Sequence, residues 1–165
     1  MKKRFLSLLL VLVLIMSLMP AALAVNADDA QPKTISVTFR LHTDTDEWIA
    51  PTEVSDLPEG TSVFTVFQKV LADKGYTYEY HEQYCYVQAI TAPDGTRLAE
   101  FGKGKNSGWL FRVNNDFADV GMNDFVLMDG DEIEVLYTAD YEKEPGMSLP
   151  YTDVSWDHWA YTCLL

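Results

Sequence analysis

Basic residues are scarce in this chain. Twelve Lys and Arg stand against 25 Asp and Glu, for a net charge of −13. A nucleic-acid partner would need a basic face, so that class is excluded. Cysteine is nearly absent: Cys85 and Cys163 are the only two, too few for a disulfide framework. In an exported chain they could pair, but Cys163 lies in a short tail, so two free thiols are expected. Histidine occurs three times, as His42, His81 and His158, in no HExxH or other paired spacing. The cysteines are not in CxxC form, so no metal site is expected. No GxSxG elbow is present, and nothing singles out one pair among the many carboxylates. No catalytic residue is therefore assigned, and the chain is not expected to be an enzyme. Gly102-Lys103-Gly104-Lys105 lacks the Walker spacing of a phosphate loop. The acid-rich triplets Asp44-Thr45-Asp46 and Asp129-Gly130-Asp131 do not fit the spaced EF-hand pattern and read as turns.

What remains is a globular composition. Of 165 residues, 48% are hydrophobic and 13% aromatic, which suits one domain with short appendages. The first appendage is an address. Lys2, Lys3 and Arg4 precede an apolar run from Phe5 to Met19, then Pro20 and the small-residue site Ala22-Leu23-Ala24. This is the layout of a secretory signal peptide over residues 1–24. The run is shorter than the roughly 20 residues a membrane span needs, so the product is not expected to span a membrane once it is cut. The cut falls after Ala24 or Ala27. Loss of the three basic residues takes the net charge from −13 to −16. Residues 25–33 read as a flexible lead.

The pattern from residue 34 to 141 is that of one domain. Ile35, Val37, Phe39 and Leu41 alternate with polar residues, as in a half-buried strand. A turn at Asp44–Asp46 leads into a weaker strand from Glu47 to Val54, demoted by Pro51. Val63, Val66, Phe67, Val70 and Leu71 have helical spacing. Thr61 or Ser62 can cap the start of that helix, and Gly75 suits its end. Aromatic-rich strand sequence follows, with a turn at Pro93–Thr96 and a return strand from Arg97 to Phe101. Gly102, Gly104 and Gly108 mark a loop before a strand carrying Trp109, Phe111 and Val113. Asn114-Asn115 is a turn, and Ile133, Val135 and Tyr137 form the last alternating strand. One helix on a mixed or antiparallel sheet is an α+β fold. With the last strand beside the first, it would be β-grasp-like. Residues 142–150 read as a linker and 151–165 as a separate segment too short for its own core.

Three blocks carry a family resemblance. They are Glu59-Gly60-Thr61-Ser62-Val63, Asn106 to Asn115 (NSGWLFRVNN), and Met128 to Ile133 (MDGDEI). Together they resemble the domain of unknown function 4430 family, the transcobalamin-like C-terminal domain. The resemblance implies a β-grasp-like α+β fold and a binding role. It implies cobalamin or a related corrinoid as ligand, with no resident cofactor. Asn106, Ser107, Gly108 and Trp109 are the ligand-binding residues it points to. Tyr151 to Tyr161 (YTDVSWDHWAY) resembles the opening of an S-layer homology repeat, a type that binds cell-wall polymers. Here it is cut short. These features lead to an expected exported, non-catalytic cell-surface binding module of a Gram-positive-type bacterium. A small molecule or glycan is the expected ligand, and a cell-wall polymer is the expected partner of the tail. The alternative is a structural or adhesive spacer domain of an S-layer-anchored wall protein.

Overall fold

A computed structural model describes residues 33–82 and 86–146. The signal segment 1–24, both cysteines and the S-layer-like segment 151–165 lie outside the described residues.

The chain opens with a long hairpin. In β1 (Thr34–Thr43) the alternating Ile35, Val37, Phe39 and Leu41 are buried, and Ser36, Thr38, Arg40 and His42 face the other side. The turn after β1 is held by Thr43, whose hydroxyl accepts from the Thr45 and Asp46 amides at 3.2 and 2.9 Å. The returning β2 (Glu47–Pro58) is longer than the sequence suggests and continues past Pro51, which falls where its register against β1 shifts. The reason is its position. β2 is an edge strand, with β1 as its neighbour on one side, and Pro51 lies in the irregularity between the Thr52–Phe39 and Ile49–Leu41 pairs, both places where a strand tolerates proline. Register shifts against β1 and a positive φ of 57° at Asp56 kink this edge. Such bulges, with proline and acidic side chains, blunt an edge against unwanted pairing.

Helix α1 (Val63–Lys74) forms where the apolar spacing places it. Ser62 is the N-cap, accepting from the Thr65 amide, and Gly75 ends the helix at φ 77°. Thr61, the other candidate cap, instead donates its hydroxyl to the Pro58 carbonyl at 2.6 Å. Val63, Val66, Phe67, Val70 and Leu71 are buried as one stripe. A helix of three turns is marginal alone, so burial of that stripe holds it in place.

The remaining strands make two sheets. β3 (Thr77–His81), β4 (Tyr86–Thr91) and β5 (Arg97–Ala99) form a three-stranded antiparallel sheet. β6 (Gly108–Val113), β7 (Asp116–Phe117) and β8 (Glu132–Thr138) join the hairpin in a five-stranded sheet of order β2-β1-β8-β6-β7. β8 runs parallel to β1 and antiparallel to β6, so the last strand occupies the centre. Asn114 and Asn115 link β6 to β7 at φ 53° and 71°, the left-handed pair that a tight two-residue hairpin requires. The fold is α+β, one helix with mixed and antiparallel sheets.

One continuous core joins β1, β2, α1, β4, β6 and β8, from Phe39 and Leu41 through Phe67 and Leu71 to Ile90 and Val135. The other face of the five-stranded sheet is charged. Glu134 sits at its centre, accepting from Arg112 Nε and within 2.7 Å of His42 Nε2. Arg40 lies 3.5 Å away and also holds Glu47. Burial opposes ionisation of Glu134, but the Arg112 and His42 hydrogen bonds outweigh it and hold the carboxyl below its usual range.

Candidate functional site

The four residues singled out by sequence lie at the end of one loop and the start of β6. The loop begins earlier than the alternation implied. β5 ends at Ala99, not Phe101, because the chain turns sharply there. Phe101 adopts φ 59°, and Gly102 packs so closely that a Cβ would sit 2.9 Å from the Ala99 carbonyl oxygen. A bulky residue in the left-handed region is strained and persists only where its surroundings over-determine it.

Ser107 supplies that constraint. It is 1% exposed. Its hydroxyl donates to the Gly104 carbonyl and accepts from the Lys103 amide, both at 2.9 Å. Its own carbonyl accepts from the Phe101 amide at 2.9 Å, and its amide donates to Gly104 at 3.1 Å. The Tyr137 hydroxyl reaches both the Ala99 carbonyl, at 2.8 Å, and Ser107 Oγ, at 3.3 Å. Ser107 is thus a staple inside the loop. Gly108 pairs with Thr138, and a Cβ on it would meet nothing within 4 Å. No close approach by the chain itself demands glycine there.

Trp109 points inward, half-buried. Its indole N–H donates to the Leu98 carbonyl at 3.0 Å, tying β6 to the three-stranded sheet through β5. Its ring lies 5.1 Å from Tyr137, edge-on, and 5.6 Å from Trp48, which in turn lies 5.9 Å from Tyr76. Trp109 and the first of the tyrosines from the aromatic-rich stretch therefore belong to one aromatic seam. Tyr78 and Tyr80 belong to another, packed on Phe64 at 6.0 and 4.5 Å. Asn106 faces the chain's exit from β8. Its side chain donates to Asp140 at 3.2 Å, and its carbonyl accepts from the Tyr141 amide at 2.9 Å.

Sequence reasoning missed Phe101. Half of its surface is exposed, and Lys103 and Lys105 extend from the same loop. Lys103 also reaches back over the Tyr137 ring, 5.6 Å from its centroid. The signal in the sequence was Gly102, a residue that weakens a strand and marks a bend or a close backbone approach.

The two acid-rich turns hold backbone. Asp129 accepts from the Ser36 amide, Asp131 from the Met128 amide and the Asn114 side chain, and Asp44 from the Ala139 amide. Among the described residues no group of three or more His, Cys, Asp or Glu is placed to hold a metal ion. No helix among them is long and apolar enough to cross a membrane.

Comparison with known proteins adds the following. The family model described as Domain of unknown function (DUF4430) matches residues 60–139. The match takes in the Asn106–Asn115 and Met128–Ile133 blocks, in agreement with the resemblance they carry. The segment from Tyr151 onward lies outside it. Among solved structures, haptocorrin in complex with cobinamide is similar, at 19% identity over 65% of this chain with a TM-score of 0.46. The chain spans 25% of that protein's length. A candidate metal-binding protein from Ruminococcus gnavus is similar at 20% identity, over 64% of this chain and 95% of its own, with a TM-score of 0.40. No curated protein matches.

Proposed function

We propose that residues 34–141 form a β-grasp-like binding module that takes a small ligand at the loop from Phe101 to Trp109. The observation that carries this reading is Phe101: a half-exposed aromatic ring held at φ 59° by a loop whose internal bonds converge on Ser107. Strain of this kind concentrates where a side chain must be presented in one orientation. The loop carries the half-exposed Phe101 ring, and Lys103 and Lys105 belong to the same loop, with the Lys103 ammonium over the Tyr137 ring. A corrinoid, with its flat macrocycle fringed by amides, fits that chemistry: the ring can stack and the lysines can donate to amide carbonyls. Asn106, Ser107, Gly108 and Trp109 support the loop from beneath in this reading.

The signal-like residues 1–24 and the S-layer-like residues 151–165 support export to the surface of a Gram-positive-type cell. A wall polymer is then the partner of the tail. The module itself is non-catalytic.

The test is a fluorescence titration of the full chain with cobinamide, read through tryptophan. A saturable change is expected, and it is lost in Phe101→Ala at unchanged thermal stability. The absence of any saturable change sinks the corrinoid reading. A structural spacer or adhesive domain is the second reading. The inward placement of Ser107 and Trp109 favours it, because both serve packing.

A further inference from the structure

The chain does not simply leave the domain after β8. Ala139 donates its amide to Asp44 at 3.0 Å. The Asp140 amide donates to the Thr138 hydroxyl at 3.1 Å, which turns the backbone. A short 3-10 turn, Tyr141–Lys143, follows with Asp140 as its cap. From that position Asp140 makes contacts in three directions. Oδ1 accepts from the Glu142 amide at 3.3 Å and from the Asn106 side chain at 3.2 Å, and Oδ2 pairs with Lys143 Nζ at 2.6 Å. The Tyr141 amide adds a second link, to the Asn106 carbonyl at 2.9 Å. The Lys143 contact, and after it the Asn106 bond, holds the Asp140 carboxyl below its usual range.

Asn106 is one residue from Ser107, the staple of the Phe101 loop. The segment after the last strand is therefore fastened to that loop at its base, through one side chain and one backbone bond. We infer that Ala139–Lys143 acts as a strap that sets the conformation of the loop from Phe101 to Ser107, with Asp140 as its positioning residue. The strap follows β8 without a break, so a change in its conformation is passed to the loop through Asn106. Coupling of this kind is reciprocal: occupation of the loop must also steady the strap. The consequence for ligand binding rests on the function proposed above; the strap itself does not.

The test uses amide hydrogen exchange on the full chain without ligand, comparing the wild type with Asp140→Ala, Asn106→Ala and the double variant. The strap predicts faster exchange at the Phe101, Lys103, Gly104 and Ser107 amides in either single variant, by about fivefold. The β1 and β8 amides stay unchanged. Because the Asn106 side chain acts on the strap through its bond to Asp140, the double variant exchanges no faster than Asp140→Ala alone. Unchanged exchange at Ser107 in Asp140→Ala overturns the proposal. So does an equal rise across β1 and β8, which would mean general loosening, and so does full additivity in the double variant. A cobinamide titration run beside it reads the binding function alone. Its failure with a positive exchange result removes the ligand and leaves the strap.

Discussion

Replacing Trp109 separates packing from binding. Its indole makes one hydrogen bond to Leu98 and ring contacts with Trp48 and Tyr137. A buried tryptophan hides roughly 150–250 Å², worth roughly 4–6 kcal/mol at about 25 cal/mol per Å². Trp109 is half-buried, so area alone gives about 2–3 kcal/mol; the lost bond to Leu98 adds about 1 kcal/mol, and about 3–4 kcal/mol is the expected loss for Trp109→Ala, consistent with large-to-small core replacements. Trp109→Phe keeps a ring against Trp48 and Tyr137 but leaves the Leu98 carbonyl without its donor. That variant should lose about 1–2 kcal/mol, the range for a part-buried acceptor left without its donor. Urea unfolding reads both. With a denaturant slope of about 1.5–2 kcal/mol/M, the midpoint falls by about 2 M for Ala and by under about 1 M for Phe. A midpoint for Trp109→Ala within a few tenths of a molar of the wild type refutes the inward seam. The ring would then be a surface group, and its role would have to be sought in binding.

Three further outcomes follow from the geometry. Ser107→Ala should cost about 2 kcal/mol and raise the mobility of Lys103 and Gly104, measured by urea unfolding and amide exchange; a neutral result removes Ser107 as the loop's staple. Gly102→Ala should destabilise by about 1–3 kcal/mol, because its Cβ meets the Ala99 carbonyl backbone, whereas Gly108→Ala should be tolerated within about 0.5 kcal/mol. Glu134 has its folded pKa depressed by Arg112 and His42, so its contribution is present above the ordinary carboxylate range and fades as pH falls through the folded value. Glu134→Gln should therefore weaken the domain at pH 7, and the gap to the wild type should narrow toward pH 3 in thermal melts; a gap that widens on acidification contradicts the network.

Elements with a strong period were legible in the sequence. The alternation of Ile35 to Leu41 and the stripe from Val63 to Leu71 each appear where the spacing puts them, because each buries one face against the same core. The turns at Asp44 and Asn114 were legible because few residues accept their backbone angles or can cap their amides. Edge position was not legible. Pro51 signals a break in any strand except at an edge or an irregularity in the pairing, and both depend on which strand lies beside it. The loop was legible as glycine-rich, but its shape was not. The left-handed Phe101 and the buried Ser107 arise from bonds to Tyr137 and β5, contacts that no local pattern encodes. The Asn106–Asp140 link spans 34 residues and joins two segments that look unrelated in sequence.

The central place of β8 also governs the order in which this protein can form. Thr38 pairs with Glu132 and Thr43 with Tyr137, so the first strand waits for nearly the whole domain before it finds its parallel neighbour. Until then β1 has only β2, and β6 has only the two residues of β7. Contacts so distant along the chain close slowly, since loop entropy is lost before pairing repays it. A chain ending before Glu132 would thus leave β1 and β6 without their shared neighbour and the core without Ile133 and Val135. The seven-residue strand β8 completes the pairing of the five-stranded sheet, so a growing chain leaves β1 and β6 without their shared neighbour until that strand is delivered.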